Sequence, residues 1–538
     1  MHIFKNYKSR IILFLIIPLI SLFGSIYQAV YTYDSFHWGL LLFTGELINL
    51  GGKIYKDVFV HYGPLTTFLE ALILKIFNNN IIYIFVAVSI FYSLSILLIQ
   101  LFINKITDYK YAFIASLIIF FTHPFIISPW HNYTIFFIFN IYIFLKTLKN
   151  TLLENFSYFF LGLSILFSES FLYPCLLIFA FDILIHSFKN KLYYKNIKIN
   201  LIKFIFFISP IIFFFIYLLY EDLLEFWLLH HSLPQMYLRD VLRMSFYDLF
   251  YNFFYNIFNY SFRRFFHEPQ WFFYLILIIL NIFYFIKTIN NFSKIKKKNE
   301  NLLLLLISFS SLVFLYNTLH NFAIFKFASG TIIGLIILIK KIESIKKIDT
   351  KIIIITFIFL LTFLGFEFIK NNSNLLYVSS QTKKESLKNS SFIYFDSQKW
   401  DDDTWNNLIF LEKNLIKISK ACNVKYSANL SSDGFYSVIL RRHLITDQKL
   451  PWYENKDKGY MNKYYNSFFN KFDNNFYLRT QDRIKNNEII MTANKENFPT
   501  IEIQGQKIKL ENKMKFIDIP YSYNHKKKII LIPNNCFY

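Results

Sequence analysis

The chain has 538 residues, of which 55% are hydrophobic and 17% charged, and its formal net charge is +22. A soluble protein of this length does not need uninterrupted apolar runs of about 20 residues, the length with which a helix crosses a bilayer. Such a run covers residues 11–30, and several comparable runs follow it. Because helices satisfy their own backbone hydrogen bonds in hydrocarbon, these runs exclude an ordinary soluble enzyme and predict a polytopic α-helical membrane protein.

The apolar runs predict about eleven transmembrane helices. The first is expected to be retained, because its apolar run is too long for a cleaved signal peptide. The spans 156–167 and 171–188 are short and either stand apart or merge. The predicted spans are 11–30, 81–103, 111–127, 133–148, 156–167, 171–188, 201–220, 271–288, 302–319, 327–339 and 351–369.

The lysines predict the orientation of these helices. Lysine-rich segments such as "KNYKSR", "KNKLYYKNIK" and "KKIESIKKIDTK" occupy the N-terminus and the loops after even-numbered helices. Since cytoplasmic loops carry the excess of Lys and Arg, the N-terminus is expected in the cytoplasm and the tail outside. The positive charge then faces anionic lipid, and no nucleic-acid partner is predicted. We expect a multi-pass protein of a bacterial inner membrane.

The tail differs in composition from the rest of the chain. Residues 371–538 are polar and contain no spanning run, which divides the chain into a transmembrane domain, 1–370, and a periplasmic domain. "SSFIYFDS" (390–397) and "KKIILIPN" (527–534) are typical of short strands, and 404–422 of an amphipathic helix. The tail is therefore predicted to be an α+β extracytoplasmic domain. Its cysteines, Cys422 and Cys536, either pair in an oxidising compartment or stay free.

The first outer loop, residues 31–80, has internal order. Residues 39–50 have an amphipathic helical pattern that fits the membrane interface, with Trp38 as an anchor. Gly51 and Gly52 end that helix. An extended turn, "KIYKDVFVHYGPL", leads to a second interfacial helix over 66–77.

The order of motifs in this loop resembles a known family. An apolar first helix carries Asp34 at its outer end, "G-x-x-Y-x-D" ending at Asp57 follows about twenty residues on, and then come "YGPL" and an amphipathic helix closing in "KIF". This order resembles the first periplasmic loop of GT-C glycosyltransferases, which take sugars from polyprenyl-phosphate carriers and include protein O-mannosyltransferase and aminoarabinose transferase types. The resemblance covers about residues 1–140 and implies a GT-C-like fold. It also implies a lipid, glycan or protein acceptor and Asp34 as the catalytic carboxylate.

The chain departs from the family at one position, because Ser35 follows Asp34 where many members carry a second acid. An inverting single displacement needs only one base, and a partly desolvated carboxylate serves this purpose. By the motif, Asp57 is the next acid, and it either shapes the loop or binds the acceptor. Asp34 itself has a plainer reading as a polar residue at a helix end.

A lipid phosphate leaving group requires cations more than a general acid. The first candidate is Lys326, the one charge in a short outer loop. The long outer loop, residues 221–270, supplies four further candidates, which either hold the donor phosphate or contact membrane lipid: Arg239, Arg243, Arg263 and Arg264.

Several polar residues at the outer ends of helices remain open between structure and function. His37 lies beside Trp38, His61 either holds its turn or touches substrate, His131 follows Trp130 in a short turn, and Glu169 is a possible second acid. Acids and histidines at 221–231 have no convincing metal spacing, so no cofactor is predicted, and a divalent metal is possible but not indicated.

Two other classes stay open. A polysaccharide polymerase or ligase would rely on the arginines and histidines of the long outer loop, with Asp34 dispensable. A flippase or transporter for lipid-linked sugars would line a path with charges inside the membrane, and few are visible. No nucleotide-binding or hydrolase motif occurs in the chain, which agrees with a lipid-linked donor.

Overall fold

A computed structural model gives the architecture of the chain. The residues that it describes are 7–31, 34, 37–60, 62–122, 126, 129, 131–148, 150–189, 193–236, 270–292, 299–315, 395, 400, 402–431, 433–446, 449, 475–503, 506–510, 512–520 and 527–536.

Helices dominate the first part of the chain. Their bounds are α1 Tyr7–Tyr31, α2 His37–Asn49, α3 Pro64–Ile76, α4 Ile82–Ile106, α5 Tyr109–Thr122, α6 His131–Thr147, α7 Thr151–Phe167, α8 Leu172–Lys189, α9 Tyr193–Tyr220, α10 Leu224–Met236, α11 Gln270–Asn290 and α12 Asn299–Leu315. A short 3-10 turn, Glu169–Phe171, separates α7 from α8, so the two short predicted spans stand apart. The predicted spans 327–339 and 351–369 lie outside the described residues, and the number eleven stays a prediction.

Three of the described helices are long and apolar enough to cross a membrane, over Phe14–Tyr31, Ile82–Ile106 and Asn200–Tyr220. Large apolar side chains cover their outer surfaces; Phe23 is 65% exposed and Phe213 is 68% exposed. A hydrocarbon solvent accommodates such a surface, whereas water does not. Shorter apolar helices, including α7 and α8, pack among them.

The first outer loop folds into a helical hairpin. In its two helices, α2 and α3, Gly45 lies against Leu74 and Ala71, and the Asn49 side chain donates to the Ala71 carbonyl at 3.0 Å. Every residue from Trp38 to Glu46 is buried. The expectation of an interfacial helix anchored by Trp38 is therefore wrong, because protein surrounds α2 on all sides and the indole of Trp38 packs edge-on against Phe85.

The turn that leads from α2 into α3 packs against the C-terminal end of α7. Gly63 adopts an extended backbone, and a Cβ atom there would lie 2.7 Å from the Leu166 carbonyl oxygen. The Thr66 hydroxyl donates to the Phe167 carbonyl at 2.7 Å. Pro64 then opens α3 at a position where its missing N–H costs nothing. The "YGPL" sequence thus allows the turn to approach α7 backbone to backbone.

The described tail contains helices and strands, as predicted. Its helices are α13 Asp402–Ala421, α14 Gly434–His443 and α15 Phe476–Lys485, and its strands are β1 Tyr426–Asn429, β2 Ile489–Asn494, β3 Thr500–Ile503, β4 Gln506–Lys509, β5 Met514–Ile519 and β6 Lys528–Pro533. One sheet has the order β1-β2-β6-β5, with β1 and β2 parallel, and β3 pairs with β4.

The amphipathic helix predicted at 404–422 is confirmed as α13 and the strand predicted at 527–534 as β6. The strand predicted at 390–397 and the domain boundary near residue 370 lie almost wholly outside the described residues. Cys422 and Cys536 form a disulfide that ties the end of the chain to the end of α13.

The tail packs directly on the first outer loop. A Cβ atom on Gly39 of α2 would lie 2.5 Å from backbone atoms of Gly434 in α14, so the two helix backbones touch there. Further along the same pair of helices, the Arg441 guanidinium lies 4.9 Å from the ring centre of Phe43. The Lys449 amine donates to the Lys56 carbonyl at 2.8 Å. The outer loop is therefore enclosed by membrane helices and by the tail.

Candidate functional site

Asp34 lies between α1 and α2, at the N-terminal end of α2. Its Oδ1 accepts the backbone N–H of His37 at 3.0 Å, and its Oδ2 lies 2.7 Å from Nδ1 of His37. Its backbone carbonyl accepts from the Trp38 N–H. This is the geometry of a helix N-cap, which explains why a short acid is favoured here. The Asp34 side chain is 21% exposed and that of His37 34%, so the pair is partly open to solvent.

Tyr62 and His131 form an aromatic stack beside this pair. Their ring centres are 4.0 Å apart, and His131 is the first residue of α6. Burial raises the pKa of the Tyr62 hydroxyl above its usual value, and the charges of Glu70 and Asp34 raise it further. Tyr62 is therefore a neutral phenol within electrostatic range of both acids. The loop thus brings Tyr62 onto His131, a predicted site residue at the start of α6.

Glu70 is a buried acid that was not among the predicted site residues. It lies in α3 and is 5% exposed. Burial raises the pKa of its carboxyl well above the usual range, because the desolvated site disfavours the charged form. A sequence signal did exist, because Glu70 interrupts the apolar face "PLTTFLEALILKI". A charged residue on such a face is usually solvated, and only the packing of α2 on α3 shows that this one is not.

Asp57 holds the shape of the extended turn. Its Oδ2 accepts the backbone N–H of Lys53 at 3.1 Å, and its own N–H donates to the Lys53 carbonyl at 2.8 Å. Within this turn Tyr55 has a φ of 63°, an unusual value for a non-glycine residue. The structure thus gives Asp57 a loop-shaping role, one of the two roles predicted for it.

Glu169 belongs to a second cluster, on the other face of the turn. Its Oε1 accepts the Tyr55 hydroxyl at 2.7 Å and lies 3.4 Å from the Trp227 indole nitrogen. Burial, with the Glu169 charge and hydrogen bond, raises the pKa of Tyr55 well above its usual value. The ring of His230 packs 5.2 Å from those of Tyr55 and Phe59. Glu169 therefore anchors the turn to α10.

The remaining predicted site residues lie outside the described residues. They are His61, Lys326, Arg239, Arg243, Arg263 and Arg264. Among the residues that the structure does describe, no three His, Cys, Asp or Glu side chains come close enough together to hold a metal ion. Within residues 221–231, whose acids and histidines lack a metal-binding spacing, Glu221 forms an ion pair with Lys53 at 2.8 Å.

The arrangement around Asp34 has defined chemical capacities. A partly exposed carboxylate accepts a proton from a hydroxyl that approaches from its open side. His37 orients the carboxylate through two contacts to its two oxygens, so the direction of the remaining lone pairs is set. The stacked rings of Tyr62 and His131 provide a flat aromatic wall next to that acid.

No protein-family model matches the chain. No curated protein matches it either. Among solved structures, the chain is similar to crystal structures of the Archaeoglobus fulgidus oligosaccharyltransferase. The structure tethered to an acceptor peptide is 12% identical with a TM-score of 0.47, over 92% of this chain and 70% of that one. The complex with zinc and sulfate is 13% identical with a TM-score of 0.48, over 90% and 68%. The apo form is 12% identical with a TM-score of 0.48, over 92% of this chain and 71% of that one. A likeness of this degree does not assign an activity.

Proposed function

We propose that this chain is an integral membrane glycosyltransferase. It moves a sugar from a polyprenyl-phosphate carrier to a lipid, glycan or protein acceptor on the periplasmic face of a bacterial inner membrane. The transfer is inverting, and Asp34 is the general base.

The observation that carries this proposal is the setting of Asp34. An acid follows an apolar helix directly, is 21% exposed, and is aimed by two contacts from one histidine. The elements that the family resemblance singles out fold in the same loop: Tyr62 of the "YGPL" turn stacks on His131, its pKa is raised by the Asp34 charge, and the following helix packs on α2. A polar residue of purely structural use would not need this convergence of the whole loop.

The reaction balances with these groups. The acceptor hydroxyl gives its proton to the Asp34 carboxylate while its oxygen bonds to the anomeric carbon of the donor sugar. The bond from that carbon to the phosphate oxygen breaks, and the polyprenyl phosphate leaves with the electron pair. One displacement inverts the anomeric centre. Lys326 is the first candidate to hold the phosphate, followed by Arg263 and Arg264, then Arg239 and Arg243.

Two observations support the outward placement of the site. The lysine-rich segments alternate along the chain in the way expected for cytoplasmic loops. The Cys422–Cys536 disulfide belongs to a domain that contacts the same loop as Asp34, and disulfides persist in oxidising compartments. Both support a periplasmic position for Asp34 and the tail, where nucleotide sugars are absent and lipid-linked donors are used.

The donor and acceptor classes follow from this placement. One solved structure to which the chain is similar holds an inhibitory peptide and a dolichol-phosphate. A polyprenyl-phosphate donor and a protein acceptor for this chain are in keeping with it. The proposal nevertheless rests on the first outer loop and not on that likeness.

The decisive experiment compares Asp34→Asn with wild type by mass spectrometry of surface glycolipids, glycans and glycoproteins, at matched protein levels in the membrane. Asparagine retains the N-cap but accepts no proton. Asp108→Asn is the matched control, because Asp108 accepts the Lys110 N–H at 2.8 Å at the start of α5 and also caps a helix.

We expect Asp34→Asn to lose one sugar from the product and Asp108→Asn to retain it. The proposal fails if deleting the gene removes a sugar and Asp34→Asn leaves that sugar in place. In that case the long outer loop becomes the place to search.

A further inference from the structure

The tail touches the first outer loop in the first turn of α2, at Gly39, two residues after His37. A Cβ atom on Gly39 would lie 2.5 Å from both Cα and C of Gly434 and 2.8 Å from the nitrogen of Phe435. The two backbones can approach this closely because Gly39 has no side chain. The first turns of α2 and α14 are thus packed backbone against backbone.

We infer that the tail domain positions the catalytic carboxylate: by docking Gly434 on Gly39 it holds the first turn of α2, and with it the Asp34–His37 pair, in the working orientation. This inference rests on the proposed function, since it assigns the tail a role in the same transfer. Gly39 and Gly434 are positioning residues and do not touch substrate.

A buried polar network makes the tail side of this contact rigid. Asp433 caps α14 by accepting the Phe435 N–H at 3.1 Å, and its other oxygen accepts the buried Lys528 amine of β6 at 2.8 Å. The Asn429 amide donates to the Asp433 carbonyl and to the Ser437 hydroxyl. The start of α14 is therefore tied to both β1 and β6, and it cannot shift without breaking several buried hydrogen bonds.

The same network continues into the sheet. Thr492 of β2 donates to Oδ1 of Asn429 at 2.8 Å, and Ser431 donates to the same oxygen through both its N–H and its hydroxyl. Asn429 and Thr492 are fully buried. Such density of satisfied polar groups fixes a single loop conformation, which is what a docking surface for another helix requires.

The loop side of the contact leads directly to the site. Gly39 lies two residues after His37, whose N–H and ring both meet the Asp34 carboxylate. A tilt of the first turn of α2 moves these donors and the cap together. Misplacing a catalytic group by about 1 Å costs on the order of 100-fold in rate, so a small tilt is enough to reduce transfer.

The experiment uses Gly39→Ala in the full-length protein and single-turnover transfer with pre-bound lipid-linked sugar. The added methyl group has no space against Gly434, although alanine favours an isolated helix by about 1 kcal/mol over glycine. We expect the rate constant to fall about 10- to 100-fold, with an unchanged reaction amplitude. A lower amplitude with a normal rate constant indicates a smaller folded fraction and overturns the inference, as does a wild-type rate.

Leu50→Ala is the matched control, because Leu50 follows the far end of α2 and is 74% exposed. It should retain the wild-type rate constant and amplitude. Arg441→Ala tests the same interface without adding an atom, since it removes the guanidinium from the ring of Phe43. It should lower the rate constant less than Gly39→Ala does, and a normal rate constant in Arg441→Ala contradicts the inference if Gly39→Ala does not fold.

The outcomes separate this inference from the proposed function. If wild type transfers a sugar and Asp34→Asn does not, while Gly39→Ala and Arg441→Ala are both unimpaired, the tail has no positioning role and the function stands. If the wild-type chain transfers no sugar from any polyprenyl-phosphate donor, the function itself fails.

Discussion

Asp34 and Asp182 are two acids near helix ends whose surroundings differ in almost every respect. The Asp34 side chain is 21% exposed, and both of its carboxylate oxygens contact His37, three residues further along the chain. Asp182, in α8, is fully buried and forms an ion pair with Lys146 of α6. It also accepts the hydroxyls of Tyr142 and Tyr158, at 2.8 and 2.7 Å.

The charges around Asp182 balance one another. Lys203 of α9, 5% exposed at its side chain, lies 3.4 Å from Glu154 of α7. His186 lies 2.9 Å from Oδ1 of Asp182 and 3.9 Å from Glu154. Two lysines thus meet two carboxylates within a cluster that joins α6, α7, α8 and α9. We call these residues, together with the two tyrosines, the buried ion cluster.

The two acids differ in how far they are open to solvent, since Asp182 is fully buried and the Asp34 side chain is 21% exposed. A transporter would need charges inside the membrane, and the buried ion cluster supplies some. Its acids and bases pair with one another, however, and the side chains of Lys146, Asp182 and Lys203 are at most 5% exposed, which is typical of a structural role. Asp34 is held by a short local cap and keeps an open side. The proposed transfer assigns the role of base to Asp34, whereas the ion pair of Asp182 with Lys146 joins α8 to α6.

The largest expected effect is the loss of transfer activity on substitution of Asp34. Asp34→Asn should lower the transfer rate about 100- to 10,000-fold, the range typical of a lost general base. Its unfolding temperature in detergent should stay near wild type, because asparagine caps helices as well as aspartate. A variant that loses stability and activity in parallel would make Asp34 a structural residue like Asp182.

The structural role of Asp182 is tested by measuring the free energy of unfolding. Asp182→Ala leaves Lys146 buried without its carboxylate, and we expect a loss of about 3–5 kcal/mol in the free energy of unfolding. The measurement is denaturant or thermal unfolding of the purified protein in detergent. The double variant Lys146→Met/Asp182→Leu should recover most of that loss, since it removes both charges. If the double variant is as unstable as the single one, charge pairing is not the cause.

A third acid, Glu169, can be compared with Asp34 and Asp182 through its hydrogen bond from Tyr55. Tyr55→Phe removes the hydroxyl that meets Glu169 at 2.7 Å. We expect a loss of about 1.5–3 kcal/mol in stability, the usual contribution of a hydrogen bond to a charged group. Tyr83→Phe, at a 36% exposed tyrosine, should change stability little. Equal effects of the two substitutions would argue against an anchoring role for Glu169.

The smallest expected effect is a change in pH dependence. Burial raises the pKa of Glu70 well above 4.5, so above that pH the folded protein keeps a proton that the unfolded chain loses. The free energy of unfolding then falls as the pH rises through this range. Glu70→Gln cannot titrate and should raise stability at neutral pH and flatten the profile. Glu225→Gln, at an exposed residue, is the control and should leave the profile unchanged.

The sequence anticipated some of these features for clear physical reasons. Apolar runs reveal helices because a membrane span must be apolar along its whole length, and α4 and α9 lie close to the predicted spans. The helix α13 and the strand β6 followed from local periodicity. The sequence left open whether Cys422 and Cys536 pair or stay free, and the structure shows the disulfide between them.

The sequence predicted only some residues of the candidate site. Asp34 stands out because an acid directly after an apolar run is unusual. Tyr62 and Glu70 did not stand out, because each is an ordinary residue of a turn or a helix until its neighbours are known. His37 looked like an interfacial residue, and its contact with Asp34 depends on the start of α2.

What the sequence by itself determined is therefore the membrane-embedded character of the chain, its helix pattern, its predicted orientation and the position of one exceptional acid. These follow from hydropathy and charge, which act locally along the chain. The tertiary structure decided which acids are buried or open, which helix supports Asp34, and where the tail docks. Those properties depend on contacts between residues far apart in sequence, such as Gly39 with Gly434 and Lys146 with Asp182, and no local pattern encodes them.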